Sequence, residues 1–236
     1  MRVPLKLKFY YFLSHFIQNK KTPNFSMDIP RDIRDGEEFS LEKLKKYLSE
    51  NSISNENLSL KQFPSGYSNL TYFLESSSKQ FVLRRPPFGA KSLQGGHDML
   101  REYNVLKNLK SQFSKVPDVF LYCENDDILG APFYLMERVE GYIIRPNLQQ
   151  KDSPGSDIIQ NVSKSLVSTL VELHNVNIEQ ANLKDLGNIN GYVKRQVEGW
   201  IKRYNHSKTD TIANMDFISS WLYENQPSEF GSSIVH

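Results

Sequence analysis

Leu70, Tyr72 and Leu74 alternate with Thr71, Phe73 and Glu75, a period of two that predicts a strand. Ser76–Lys79 is a polar turn, and Gln80–Leu83 returns apolar before Arg84 and Arg85, so the stretch predicts a hairpin. Upstream, Pro64-Ser65-Gly66-Tyr67-Ser68-Asn69 gathers small, hydrogen-bonding residues between two strands. Gly66 admits backbone conformations that a side chain blocks, and such a loop brings several N–H groups near an anion. The period then changes. Met99, Tyr103, Leu106 and Leu109 fall on one stripe of a helix over Asp98–Leu109. Val116–Cys123 and Pro132–Val139 read as strands, with Glu124–Asp127 a turn between them. Beyond Gly141 the spacing of Ile158, Ile159, Val162, Leu166, Leu170, Leu173 and His174 is helical. Gly191–Tyr204 and Met215–Asn225 predict two more helices, carrying Trp200 and Trp221.

The flanks follow from local chemistry. Ser40 caps a helix over Leu41–Leu48, with Glu42 and Lys46 as a supporting pair. Met27–Glu38, with Pro30 and Gly36, reads as a linker. Pro86 and Pro87 end the return strand because proline removes ladder donors, and Lys91–His97 is a loop suited to a mobile crossing. A strand-rich first half with one prominent helix precedes a helical second half, joined near Glu137–Gly141. That order predicts an α+β chain in two lobes.

Composition narrows the chemistry. A net charge of +2 over 236 residues gives no electrostatic reason to invoke nucleic acid. Cys123 is the sole cysteine, which excludes an internal disulfide framework and a cysteine-based zinc site. The histidines at 15, 97, 174, 206 and 236 lack metal-ligand spacing. Before Asp28 the chain has no acid but carries Arg2, Lys6, Lys8, Lys20 and Lys21. That bias resembles a mitochondrial presequence, though one poor in serine and arginine, and a non-native extension or a misassigned start accounts for it at least as well. Its apolar run, LKFYYFLSHFI, is too short to span a membrane, so no transmembrane segment is expected.

A phosphoryl-transfer site must neutralise phosphate charge and orient an acceptor hydroxyl. Arg84 lies at a strand end, and Glu102 lies mid-helix beside the apolar stripe, where it can flank the packed face. An ion pair between them would present Arg84 to a nucleotide; an exposed glutamate and a solvated arginine are the plainer alternative. The segments FPSGYSNLTYFL, FVLRRPPFGA, LREYNVLKNL and APFYLMERVEGYIIR, in this order, decide for the former. Together they resemble the aminoglycoside-phosphotransferase-like kinase family, and within it the kinase-like domain found fused to acyl-CoA dehydrogenases. GYVKRQVEGWIKRY resembles the same branch, and the similarity runs from Glu37 to His236.

The resemblance implies a two-lobed protein-kinase-like fold. Residues 1–36 would be a basic extension and linker, 37–139 the nucleotide-binding amino lobe, and 140–236 the first part of the helical lobe. Ser65, Gly66, Tyr67, Ser68 and Asn69 would belong to the loop covering ATP. Arg84 would stand where the family's antibiotic kinases carry a phosphate-gripping lysine, exchanging a compact ammonium for a planar fork. Glu102 would be its helix partner. Met136 would line the adenine pocket, with the Glu137 carbonyl and the Val139 N–H as the hinge edge. His236 would open the family's His-Gly-Asp motif, so the catalytic aspartate and the Mg²⁺ ligands are expected after it. The implied reaction is ATP-dependent phosphorylation of a small-molecule hydroxyl, a hydroxyacyl-CoA in the fused branch, and residues 1–236 are expected to be inactive on their own. A non-catalytic pseudo-kinase module and the accessory front end of a larger acyl-CoA dehydrogenase are the alternatives.

Overall fold

The expected hairpin, β2 (Leu70–Glu75) and β3 (Gln80–Arg85), lies inside a five-stranded antiparallel sheet. With β1 (Ser59–Gln62), β4 (Val119–Cys123) and β5 (Phe133–Glu137), the order is β1-β2-β3-β5-β4. The computed structural model describes residues 29–54, 56–64, 68–89, 97–141, 155–188, 190–228 and 233–235. At the β2–β3 turn the Glu56 carboxylate accepts from the Ser77 and Ser78 hydroxyls, both at 2.6 Å, and from the Ser78 N–H at 3.2 Å. These serine contacts hold its pKa at about 2.

Three local expectations are corrected. Residues 31–37 are no free linker: Arg31 and Gln62 exchange two backbone hydrogen bonds of 2.8 Å, because the edge of β1 leaves ladder groups to be paired. β4 begins at Val119 rather than Val116, since Pro117 supplies no ladder donor. The turn before β5 contains one helical turn, α3 (Asp126–Leu129), started by the Asn125 side chain accepting from Asp127 N–H at 2.8 Å. Gly130 ends it at φ 77°, a conformation costly for residues with a Cβ.

The sheet is covered on both faces, and register sorts the side chains. On one face Leu70, Tyr72, Leu74, Phe81, Leu83, Phe133 and Leu135 pack under α1 (Leu41–Glu50), whose Leu44 and Leu48 are fully buried. Burial of each such leucine contributes about 1.5–3 kcal/mol. Ser40 caps α1 as expected, accepting from Lys43 N–H. Glu42, however, pairs with Lys45 at 3.0 Å, while Lys46 lies 3.9 Å from Glu50. These are solvated contacts at i,i+3 and i,i+4, between which little energy discriminates.

α2 (Met99–Leu109) crosses the other face, capped by the Asp98 carboxylate accepting from Arg101 N–H at 2.9 Å. Met99, Val105, Leu106 and Leu109 join Tyr134 with Leu173, Val176, Ala181, Leu183 and Ile234 in a second core. That core ties the sheet to α4 (Ser156–His174). Two further helices follow, α5 (Tyr192–Ser207) and α6 (Met215–Glu224), neither with a buried residue. Trp200, Trp221 and Phe217 are 64%, 52% and 69% exposed, so these helices carry a largely exposed aromatic surface, with Arg203 over the Trp200 ring.

Candidate functional site

Register places two rows of side chains on the α2-facing side of the sheet. Thr71, Arg84 and Tyr134 are direct cross-strand partners on β2, β3 and β5, and Phe73, Val82 and Met136 form the adjoining row. Rows two residues apart on one face lie roughly 7 Å from each other. The second row clusters with Phe63 into a small apolar patch. A cation therefore stands one row from an apolar surface.

Arg84 is held in place by α2. Its Nε lies 3.1 Å from Glu102 Oε2, a contact off the angle of a hydrogen bond and so mainly Coulombic, while Nη2 donates to Oε1 at 3.4 Å. Glu102 also accepts from Asn69 Nδ2 at 2.8 Å and from the Tyr134 hydroxyl at 3.0 Å. Burial pushes the Tyr134 hydroxyl far above the ordinary tyrosine pKa, and the negative Glu102 adds to the rise, so it remains a donor. Asn69 reaches on to His97, whose Nδ1 lies 2.7 Å from Asn69 Oδ1. Because the Asn69 amide nitrogen serves Glu102, its oxygen is the acceptor, and the imidazole carries its proton on Nδ1.

Adjacent Arg85 does something else. Strand alternation turns it to the α1 face, where it is 1% exposed and donates to the carbonyls of Leu129 at 2.7 Å and Pro86 at 3.1 Å, its guanidinium over the Phe88 ring. Burial lowers its pKa, but an arginine remains charged.

Of the expected site residues, Arg84, Glu102, Asn69 and Met136 come together on this face. Ser68 is exposed beside Asn69. Glu137 turns to the opposite face, its N–H donating to the Asp118 carbonyl at 2.8 Å and its carboxylate accepting from Asp118 N–H. Val139 follows the end of β5, half-buried. Ser65, Gly66, Tyr67 and His236 lie outside the described residues. Sequence reasoning missed Tyr134, His97 and the aromatic pair Phe63 and Phe73. Tyr134 was within reach, since alternation through Met136 puts it beside Arg84; nothing in the local pattern singles out His97. A hollow of about 710 Å³ lined by Ile178, Glu179, Lys184 and Asp185 includes none of these groups.

A sheet-borne cation clamped by a helix carboxylate, next to an apolar patch and followed by a helical body, defines a kinase-like lobe. The comparisons agree. The chain belongs to the phosphotransferase enzyme family, whose model matches residues 59–236. It is 37% identical over 219 residues to acyl-CoA dehydrogenase family member 11 of Rattus norvegicus, covering 89% of this chain and 28% of that protein. To family member 10 of Mus musculus it is 31% identical over 221 residues, covering 93% and 20%. The chain thus spans about a quarter of the length of the curated relatives it matches. Among solved structures, a Ralstonia eutropha protein assigned as an aminoglycoside phosphotransferase aligns at TM-score 0.66 and 27% identity, over 81% of this chain and 55% of that one. The GDP complex of aminoglycoside 2'-phosphotransferase-IIIa aligns at TM-score 0.53 and 15% identity, over 80% and 60%, which shows the shared fold.

Proposed function

We propose that this chain is the nucleotide-binding part of an ATP-dependent phosphotransferase that acts on a small-molecule hydroxyl. Residues 37–139 are the nucleotide-holding lobe, and 140–236 begin the lobe that receives the acceptor. The observation that carries this reading is the Arg84–Glu102 contact one row from the Phe63, Phe73, Val82 and Met136 patch. Arg84 is fixed before ligand arrives, so its charge meets a phosphate oxygen without the cost of ordering a long side chain. Ser68 and Asn69 close the phosphate side, and Met136 supplies the edge of the base subsite. The acceptor assigned here is a hydroxyacyl-CoA, as the resemblance to the fused branch implies, and the names of the relatives support fusion to an acyl-CoA dehydrogenase in a longer chain.

Magnesium is handled differently. Among the described residues no group of three or more His, Cys, Asp or Glu side chains could hold a metal ion, so they do not fit one. Its carboxylates belong, on this reading, to residues after His236, with the catalytic aspartate. The test compares this chain with a version extended through the rest of the helical lobe, assayed for magnesium-dependent ATP turnover on hydroxyacyl-CoA and amino-alcohol acceptors. Turnover by the extended form, lost on Arg84→Ala, is the expected result. Nucleotide binding without turnover by the extended form would identify a non-catalytic module, and Arg84-independent turnover would overturn the assignment.

A further inference from the structure

Arg138 lies two residues beyond Met136 and four beyond Tyr134, on the continuation of the strand face that carries the site. Its guanidinium carbon is 5.1 Å from the centroid of Phe63 and 5.0 Å from that of Phe73, so a planar cation covers the apolar patch. One of its terminal nitrogens, Nη1, is buried without a hydrogen-bond partner among the described residues. The contrast with Arg85 is instructive. Arg85 has Nε and Nη1 on backbone carbonyls, whereas Arg138, like Arg101 at its Nε, leaves a desolvated N–H unanswered, and of these two Arg138 does so at the apolar row. An unmet buried donor destabilises the free chain, and a ligand that brings an acceptor there recovers the loss.

We propose that Arg138 is a specificity-determining residue of the nucleotide subsite, covering the Phe63–Phe73 patch in the free chain and donating its spare N–H to a ring nitrogen of a bound purine. The inference rests on the nucleotide reading above. The ligand chemistry follows from two facts: the patch takes a flat apolar face, and an arginine offers donors only, so the ring must present an acceptor at its rim. A purine meets both conditions. An aliphatic ligand meets neither, and a bare polyphosphate needs Arg84 but not Arg138.

The experiment measures binding of ATP and of inorganic tripolyphosphate to the 236-residue chain by calorimetry, for the natural sequence, Arg138→Met and Arg138→Lys. Methionine keeps a long apolar stem and removes every donor; lysine keeps the charge and loses the planar fork. Loss of a hydrogen bond from a charged donor predicts ATP binding weakened about tenfold or more in R138M, with R138K between. Tripolyphosphate binding stays within about twofold in both, and the urea midpoint does not fall. ATP affinity unchanged by both substitutions, with tripolyphosphate still bound, overturns the role of Arg138 and leaves the nucleotide reading standing. An equal loss for ATP and tripolyphosphate also overturns it, by showing a general effect of charge. A natural chain that binds neither probe overturns both.

Discussion

Arg84 and Glu102 are eighteen residues apart in the chain and 3.1 Å apart in space, joined across β3 and α2. Three donors converge on the Glu102 carboxylate, so its removal strands more than one partner. Glu102→Ala leaves the Tyr134 hydroxyl and the Asn69 amide without their acceptor and is expected to cost about 1–3 kcal/mol. Part of the Arg84 contribution is screened, the two side chains being 21% and 33% exposed. Urea denaturation reads the loss. Glu102→Gln retains one acceptor oxygen and costs less; equal losses for Ala and Gln would sink this account of the network.

The neighbouring arginines separate binding from stability. Arg85→Ala removes a buried side chain with two carbonyl partners and is expected to destabilise the fold by about 2–4 kcal/mol. Arg84→Ala is expected to cost less than about 1 kcal/mol and to weaken ATP binding at least tenfold. Thermal melts and nucleotide titration on the two variants should give crossed results. Parallel behaviour would contradict the division of labour.

Acid exposes the hairpin turn. The Glu56 carboxylate has a pKa of about 2 in the folded chain against an ordinary 4.5, so its stabilising contribution is complete above the ordinary value. It fades as pH falls from about 4.5 towards about 2, the window in which the unfolded chain takes up the proton and the folded carboxylate does not. Glu56→Gln should flatten that part of the stability profile, measured by urea midpoints between pH 5 and pH 3, and faster amide exchange at Ser78 should accompany it. A profile identical to that of the natural chain would remove Glu56 from the account.

The exposed aromatic residues of α5 and α6 predict association. The chain should bind a hydrophobic dye and sediment faster as concentration rises. Trp200→Lys with Trp221→Lys should reduce both effects and leave the unfolding free energy from urea titration within about 0.5 kcal/mol of the original, since neither ring is buried. Dye binding unaffected by the double change would place the sticky surface elsewhere.

Much of this was legible because periodicity and capping are local. Alternation gave β2 and β3, the 3–4 spacing gave α2 and α4, and Ser40 and Asp98 marked helix starts that the structure keeps. A strand end and a helix stripe are readable in one dimension, but they left an exposed pair as the plainer alternative; Arg84 and Glu102 were legible as partners only through the ordered segments that carry the family resemblance. What was not legible depends on register between strands far apart in sequence. Tyr134 becomes a partner of Glu102 only once β5 lies against β3, and His97 joins the network only through Asn69, once that residue before β2 reaches the start of α2. The pairing of residue 31 with β1 was hidden for a different reason. Pro30 and Gly36 signal a turn, but they say nothing of an edge strand in need of a neighbour.

The opposite orientation of Arg84 and Arg85 also makes β3 a reading frame. Deleting or adding one residue between Val82 and Arg84 would turn the buried Arg85 side chain to the α2-facing side and the site cation under α1, exchanging their duties at a stroke. Length variation among descendants of this sequence should therefore collect at the Ser76–Lys79 turn and avoid the six residues of the strand that follows.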